Sequence, residues 1–150
     1  MKYTILILLI FFGTQPTLKA DVKRWTIEQV GFLNIDRNEE DYGGFSGLVI
    51  QNQGSEALVV TDKSFFFVLG LHRNKDDILI GYSVKRKGRI LSSKGEHLSG
   101  RNTDSESIVV DENNNYYISF ESNHRIMMHA EVDGKGVFVP KHPMFRKLYA

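Results

Sequence analysis

Two segments of the chain decide how it folds: SGLVIQNQGSEALVVTD at residues 46–62 and ESIVVDENNNYYISFE at residues 106–121. Each contains a β-branched run, a polar turn and a second apolar run that ends in an acidic residue. Leu48 corresponds to Ile108, 60 residues further along, and Asp62 corresponds to Glu121, 59 residues further along. This internal repeat predicts one supersecondary unit that occurs twice.

Around these segments the apolar residues form short runs rich in β-branched and aromatic side chains, separated by Gly, Asn, Asp and Ser. Such runs are typical of β-strands joined by turns. A helical domain is not expected, because no long stretch shows a clean helical period. The predicted strands cover residues 25–33, 47–51, 57–61, 65–71, 78–84, 107–110, 116–120, 126–132 and 136–139. The predicted fold class is therefore all-β.

The spacing of the repeat favours one kind of all-β fold. A unit of three or four antiparallel strands that recurs in this way is typical of a β-propeller blade. Propellers close into a ring with four to eight blades, and this chain has room for about two. Apolar residues in the segment 141–150 have no predicted strand after them. We therefore expect an incomplete, propeller-like domain over residues 21–150, with a small open sheet or sandwich as the alternative.

Composition excludes several classes of function. The chain has 19 Lys and Arg residues against 18 Asp and Glu, a formal net charge of +1. This balance argues against nucleic acid as a partner, because such binding needs clustered positive charge. The one basic run, KRKGR at 85–89, is interpreted as a solvated loop at a hairpin tip. The absence of cysteine excludes disulfides, thiol catalysis and cysteine-ligated metals.

The N-terminus has the three zones of a secretory signal peptide. Lys2 is the positive start, residues 5–12 are apolar, and residues 13–20 form a polar end that stops at Ala20. The apolar stretch is too short to span a bilayer as a stable helix. We predict cleavage after Ala20 and a periplasmic or secreted protein without a stable membrane span. Leu18 is larger than the residue usual before a cleavage site, which leaves an uncleaved anchor as the alternative.

A family resemblance covers most of the mature chain. It rests on these motifs in order: GGFSGL at 43–48, VTDK at 60–63, LSG at 98–100, DSESI at 104–108, SFE at 119–121 and HRI at 124–126. With them the chain resembles the N-terminal portion of the phytase-like family of exported bacterial proteins, described as having esterase-like activity of phytase. The resemblance implies a β-propeller-like fold whose polar and acidic residues gather towards the central channel.

The chain departs from the family pattern in three respects. Lys63 and Ser64 stand where the family usually has arginine followed by glycine, and Ser107 stands where it often has glycine. The later blades, which carry further acidic and asparagine residues in the family, are absent from this sequence. A complete active site therefore cannot be assigned from these residues.

Three carboxylates are the strongest candidates for chemistry. Asp104 and Glu106 are two residues apart, so on a strand they project to the same side. Glu121 ends the following strand and is expected to approach them. Oxygen ligands brought together in this way suit calcium, which would hold a phosphate or ester oxygen and activate water. The structural alternative is that Asp104 caps a turn while Glu121 pairs with Arg125.

Two further candidates follow Glu121 in the sequence. His124 and Arg125 are placed where a turn would leave the strand, and we include both among the predicted catalytic residues. The planar guanidinium of Arg125 matches phosphate and carboxylate geometry. The alternative for Arg125 is a structural salt bridge to Glu121.

Other motifs are interpreted as structural. Ser46 lacks the glycine two residues later that a nucleophile elbow requires. The segment 111–115 resembles the start of an EF-hand loop, but Tyr116 and Ser122 occupy positions where glycine and glutamate are needed, so a hairpin turn is preferred. Trp25 and the aromatic run 65–67 are expected in the core.

Two functions remain open at this point, beside the possibility of a non-functional truncated product. The first is an exported, calcium-assisted hydrolase of small phosphate or carboxylic esters. The second is a non-catalytic exported propeller module that binds a ligand or protein, since a fold does not dictate a function.

Overall fold

The computed structural model describes residues 25–29, 31–35 and 44–141. The predicted signal peptide, residues 1–20, and the segment 142–150 lie outside the described residues. No helix within the described part of the chain is both long and apolar enough to cross a bilayer.

In the described part of the chain, eight strands form two separate antiparallel sheets, each built from four consecutive strands. The first sheet contains β1 (Phe45–Gln51), β2 (Glu56–Thr61), β3 (Phe65–Arg73) and β4 (Leu79–Arg89). The second contains β5 (Ser105–Val110), β6 (Tyr116–Phe120), β7 (Arg125–His129) and β8 (Gly136–Phe138). Two short 3-10 turns, Asn52–Gly54 and Gly100–Asn102, complete the regular structure of the described residues. The all-β prediction is confirmed, whereas a propeller arrangement stays a prediction.

The polar turns are stabilised by side chains that accept hydrogen bonds from backbone N–H groups of the turn. Asp111 is the clearest case: its carboxylate accepts hydrogen bonds from the backbone N–H groups of Asn113 and Asn115, at 2.9 and 2.8 Å. These bonds close the β5–β6 connection as an Asx turn. The same bonds lower the pKa of Asp111, led by its hydrogen bond with the side chain of Asn115. The preference for a hairpin turn over an EF-hand loop agrees with this geometry.

The repeat seen in the sequence is also a repeat of strand register. In the first sheet Leu48 pairs with Val59, and in the second Ile108 pairs with Ile118. Each sheet also has a β-bulge at the start of its first strand, where the pairing skips Ser46 in β1 and Glu106 in β5. These two residues occupy equivalent positions of the repeat, so both units deform at the same place.

The main core lies between the two sheets. Its buried members from the first sheet include Leu58, Val60 and Phe66, and those from the second include Ile108 and Ile118. The two sheets approach each other closely at Gly47 of β1. A Cβ built there would lie 2.8 Å from the backbone nitrogen of Ile108 and from the Cα of Ser107. Glycine at this position therefore permits backbone-to-backbone contact between β1 and β5.

Two sequence expectations are wrong for the described residues. Residues 25–29 and 31–33 are not a strand, and Trp25 is 79% exposed instead of part of the core. A β-rich pattern cannot form a strand without a neighbour to satisfy its backbone groups, and this segment has no pairing partner among the described residues. The aromatic run does lie in the core, since Phe65, Phe66 and Phe67 are all buried.

The basic run 85–89 is also placed differently from the expectation. It forms the second half of β4 instead of a hairpin loop. Its charges are accommodated individually: Lys85 forms an ion pair with Glu56, Arg86 forms one with Asp133 at 3.5 Å, and Arg89 lies 4.3 Å from the ring centre of Phe65. An edge strand with charged side chains is a common protection against pairing with other sheets.

His129 gives the fold a predictable pH dependence. It is buried, its Nδ1 lies 3.0 Å from the carbonyl oxygen of Gly134, and its Nε2 has no hydrogen-bond partner among the described residues. Burial lowers the pKa of His129 below its ordinary value, with the Gly134 carbonyl opposing this effect. The unfolded chain therefore binds a proton at a higher pH than the folded chain does.

We expect the free energy of unfolding to fall as the pH is lowered below about 6.5, the ordinary histidine value. The loss is at most about 1.4 kcal/mol for each pH unit between the unfolded and folded pKa values. Urea unfolding at a series of pH values measures it. His129→Met should reduce the slope in this range, and an unchanged slope would show that other groups cause it.

Candidate functional site

The predicted acidic residues lie at the bulged end of β5. Glu106 is the residue that the β5–β6 register skips. A bulge re-aims the side chain of the extra residue, which is why bulges are frequent beside active sites. The side chain of Glu106 therefore does not have to follow the alternation of side-chain directions along the strand.

Hydrogen bonds from the first sheet fix the backbone on both sides of these carboxylates. The hydroxyl of Ser64 donates to the carbonyl oxygen of Thr103, and the hydroxyl of Ser46 donates to that of Ser105. In the opposite direction, the hydroxyl of Ser105 donates to the carbonyl oxygen of Thr61. Ser64 and Ser105 are buried and Ser46 is half-buried. The segment that carries Asp104 and Glu106 is therefore attached to the first sheet by three hydrogen bonds.

Asp104, Glu106 and Glu121 form one cluster, in which one carboxylate oxygen from each residue lies within 4.8 Å of the others. The backbone N–H of Glu121 donates to the carbonyl oxygen of Asp104 at 2.9 Å, which holds the two residues side by side. The Asp104 carboxylate also accepts a hydrogen bond from the hydroxyl of Ser122. The structure thus brings together all three residues that were predicted as metal ligands.

The proximity of these groups changes the protonation of Glu106. Partial burial is the largest cause that raises its pKa, followed by the negative charges of Glu121 and Asp104. A hydrogen bond with the Glu121 side chain and the charge of Asp62 act in the same direction. Like charges held close together disfavour ionisation of the central group. The cluster therefore has an excess of negative charge that a cation would neutralise.

Asp62 is a fourth acidic residue that was not among the predicted site residues. Its backbone N–H donates to the carbonyl oxygen of Gly44 at 2.8 Å, the counterpart of the bond between Glu121 and Asp104. The backbone of Gly44 has a φ of +62°, and a Cβ added there would lie 2.0 Å from the Asp62 carboxylate. The repeat could have identified Asp62, because it aligns with Glu121.

Arg125 lies against its own loop. Its guanidinium donates hydrogen bonds to the carbonyl oxygens of Asn123 and Asn102, at 3.1 and 2.5 Å, and lies 3.7 Å from the ring centre of Phe120. Burial lowers its pKa. The ion pairs among the described residues do not include the expected one between Arg125 and Glu121. Arg125 thus connects the turn Gly100–Asn102 to the loop that precedes β7.

His124 is exposed on that same loop. The loop is held further by Arg101, which donates to the carbonyl oxygen of Ser122 at 3.1 Å, and by a 2.9 Å hydrogen bond from Asn123 to Asn102. The roles predicted for His124 and Arg125 in catalysis stay predictions.

The residues of the cluster fit a hard divalent cation. All three side chains offer carboxylate oxygens, the donors that calcium prefers. Asp104 is half-buried and Glu121 is exposed, so a cation has access from solvent. Calcium needs six to eight oxygen ligands, and three carboxylates leave positions for water and for a substrate oxygen.

Together, the two β-sheets and the carboxylate cluster define an all-β domain with a solvent-accessible acidic site. A family model described as phytase-like, esterase-like activity of phytase, matches residues 40–145. The chain belongs to this phytase-like family and carries a domain of hydrolase type. No curated protein and no solved structure shows a significant match to the chain.

Proposed function

We propose that this domain is an exported hydrolase of small phosphate or carboxylic esters that uses a calcium ion held by Asp104, Glu106 and Glu121. The observation that carries the proposal is the convergence of these three carboxylates on one bulged strand end, with oxygens within 4.8 Å of one another. Membership of the phytase-like family supports a hydrolytic reaction. Export rests on the N-terminal sequence pattern alone.

The residues around the cluster have distinct roles in this proposal. A bound calcium ion would polarise the ester oxygen and lower the pKa of a coordinated water molecule. Asp104 is held by Ser122, and Glu121 is held by its backbone bond to Asp104, so both are oriented before a ligand binds. Asp62 adds negative charge next to Glu106. His124, exposed after Glu121, is assigned proton exchange with the leaving group.

Arg125 is assigned a positioning role. Its two backbone hydrogen bonds and its stacking on Phe120 hold the loop that carries His124. A direct contact with an anionic ester would require the guanidinium to give up part of this arrangement.

Calcium binding is the first test. At a free calcium concentration about 100 times the dissociation constant, bound calcium adds about 2.7 kcal/mol to the free energy of unfolding. We expect a higher melting temperature in calcium than in EDTA. Glu106→Gln and Glu121→Gln preserve side-chain shape but remove charge, so each should abolish most of this increase. Glu112→Gln, in the exposed turn after Asp111, is the matched control and should retain it.

Turnover is the second test. Hydrolysis of p-nitrophenyl phosphate and of p-nitrophenyl acetate is measured for the same four proteins with and without calcium. Activity that is lost in both cluster variants and kept in Glu112→Gln supports the hydrolase. Calcium binding without turnover of either substrate class would favour the non-catalytic binding module. An unchanged melting temperature in calcium would refute the metal site.

A further inference from the structure

A cavity lies on the face of the first sheet that is turned away from the second sheet. Its volume is about 350 Å³, and small-molecule sites usually measure about 300–1,000 Å³. Its floor is formed by Ala57, Val59 and Leu69, which are only 2–3% exposed. Ile35 and Tyr82 pack against this floor and form part of the wall. This face of the sheet is therefore covered within the molecule, but the covering side chains leave a space between them.

The lining of the cavity suits an uncharged, apolar ligand. Among the described residues that line it, none is charged, and Ser46 and Tyr82 are the two with a polar side chain. The hydroxyl of Ser46 is already used, because it donates to the carbonyl oxygen of Ser105. A phosphate or a sugar inside the cavity would lose hydrogen bonds to water without replacing them. A hydrocarbon chain would not, and burial of each methylene group would favour its binding.

One end of the cavity adjoins the acidic cluster. This end is formed by Phe45 and Ser46, at the β-bulge of β1. Ser46 connects the two places, since it lines the cavity and its hydroxyl donates to the carbonyl oxygen of Ser105. Ser105 is the residue between Asp104 and Glu106. The cavity and the carboxylates therefore meet at the same strand ends.

Asp62 provides a second connection between the cavity and the cluster. Its backbone N–H donates to the carbonyl oxygen of Gly44, the residue before Phe45, and its charge acts on Glu106. With Asp62 the cluster has four carboxylates, whereas one calcium ion carries two positive charges. A phosphate ester would still meet an excess of negative charge, and a neutral carboxylic ester would not. Arg125 offers little compensation, because its guanidinium is engaged by two backbone carbonyl oxygens.

From these observations we propose that the cavity binds the apolar acyl chain of a carboxylic ester whose ester group lies at the acidic cluster. This inference rests on the proposed function and narrows it, since the substrates are then carboxylic esters with an acyl chain of several carbons and not phosphate esters. Leu48 and Ile50 border the cavity and are 59% and 50% exposed. The chain can therefore enter from solvent along β1.

Binding is tested first, without catalysis, with the uncharged dye Nile red in EDTA. The fluorescence of the dye rises in an apolar site, and methyl octanoate should displace it from the native chain. Ala57→Leu fills the cavity from its floor, and Leu48→Asp places a charge at its border. Each should weaken binding of the dye by about tenfold or more, the usual effect of such a change in an apolar pocket. Leu48→Asp is at an exposed position, so it serves as the test if Ala57→Leu does not fold.

Each of these variants has a matched control outside the cavity. Ala130→Leu makes the same change as Ala57→Leu at an exposed position after β7. Val109→Asp introduces the same charge as Leu48→Asp on β5, at a residue that is also 59% exposed. Both controls should bind the dye as the native chain does. An equal loss of binding in a cavity variant and its control would overturn the inference.

Turnover is then compared for p-nitrophenyl octanoate and p-nitrophenyl acetate in calcium. For the native chain we expect kcat/KM to be about tenfold or more higher for the octanoate. This ratio should fall in Ala57→Leu and Leu48→Asp but not in their controls. Faster hydrolysis of p-nitrophenyl phosphate than of either carboxylic ester would overturn the inference.

The two experiments distinguish a failure of this inference from a failure of the proposed function. Hydrolysis of the acetate by a chain that does not bind Nile red would overturn the inference and leave the hydrolase. Binding and displacement of the dye without turnover of any ester would refute the hydrolase, and with it the role of the cavity in substrate binding.

Discussion

Phe66→Ala is expected to reduce the free energy of unfolding by about 3–5 kcal/mol, the usual cost of removing a buried phenylalanine ring. Phe66 is 1% exposed and belongs to the core between the two sheets. Arg86 lies over its ring, 5.4 Å from the ring centre, and Gly88 leaves room beside it. The free energy of unfolding of a typical domain is about 5–15 kcal/mol, so this substitution would remove a large part of the stability.

Chemical denaturation with urea measures this effect. Phe138→Ala is the control, because Phe138 is 56% exposed on the short outer strand β8. The control should change the free energy of unfolding by about 0.5 kcal/mol or less, as is usual for surface substitutions. Equal losses in the two variants would contradict a core located between the sheets.

Gly47→Ala is expected to reduce the free energy of unfolding by about 3 kcal/mol, the upper part of the usual range for overpacked sites. The added methyl group would lie 2.8 Å from backbone atoms of Ser107 and Ile108. Backbone cannot rotate away as a side chain can, so β1 and β5 must separate. That separation would also strain the hydrogen bond from Ser46 to Ser105, which helps to hold the acidic segment.

Gly81→Ala is the matched control for this substitution. Gly81 also lies in a strand, but the nearest atoms to an added Cβ belong to His72 and are 3.9 Å away. Alanine at an uncrowded site of this kind is neutral or slightly stabilising, because it restricts the unfolded chain. If the two variants unfold at the same urea concentration, the close approach of the two sheets is not a determinant of stability.

The secondary structure was largely predictable from local pattern. Seven of the strands in the two sheets begin or end within a few residues of their predicted limits, and the eighth, β4, continues through a basic run that was interpreted as a loop. Four of the five residues in the run KRKGR are charged, so hydropathy favoured a loop, whereas pairing with strand β3 keeps the run extended. The opposite error occurred at Trp25, where a strand was predicted and none forms. The local pattern is suitable for a strand, but no partner strand is available among the described residues.

The acidic cluster was predictable only in part. Two residues on one strand and a third at the end of the next indicated Asp104, Glu106 and Glu121, and the structure places them together. The β-bulge at Glu106, the anchoring by Ser64 and Thr61, and the approach of Asp62 were not indicated. The bulge depends on how β5 pairs with β6, and the other features depend on contacts between residues about 40 positions apart. No local pattern encodes either.

The sequence alone determined the all-β class, the duplicated strand unit and the residues that bear the carboxylates, because each of these depends on the order and spacing of residue types along the chain. Tertiary structure decided which face of each sheet is buried, where β1 and β5 meet, and that Glu106 is repelled by three other acidic groups. The physical reason is that packing and electrostatic interaction act through space. They are established only when the two sheets, encoded by separate parts of the chain, come into contact.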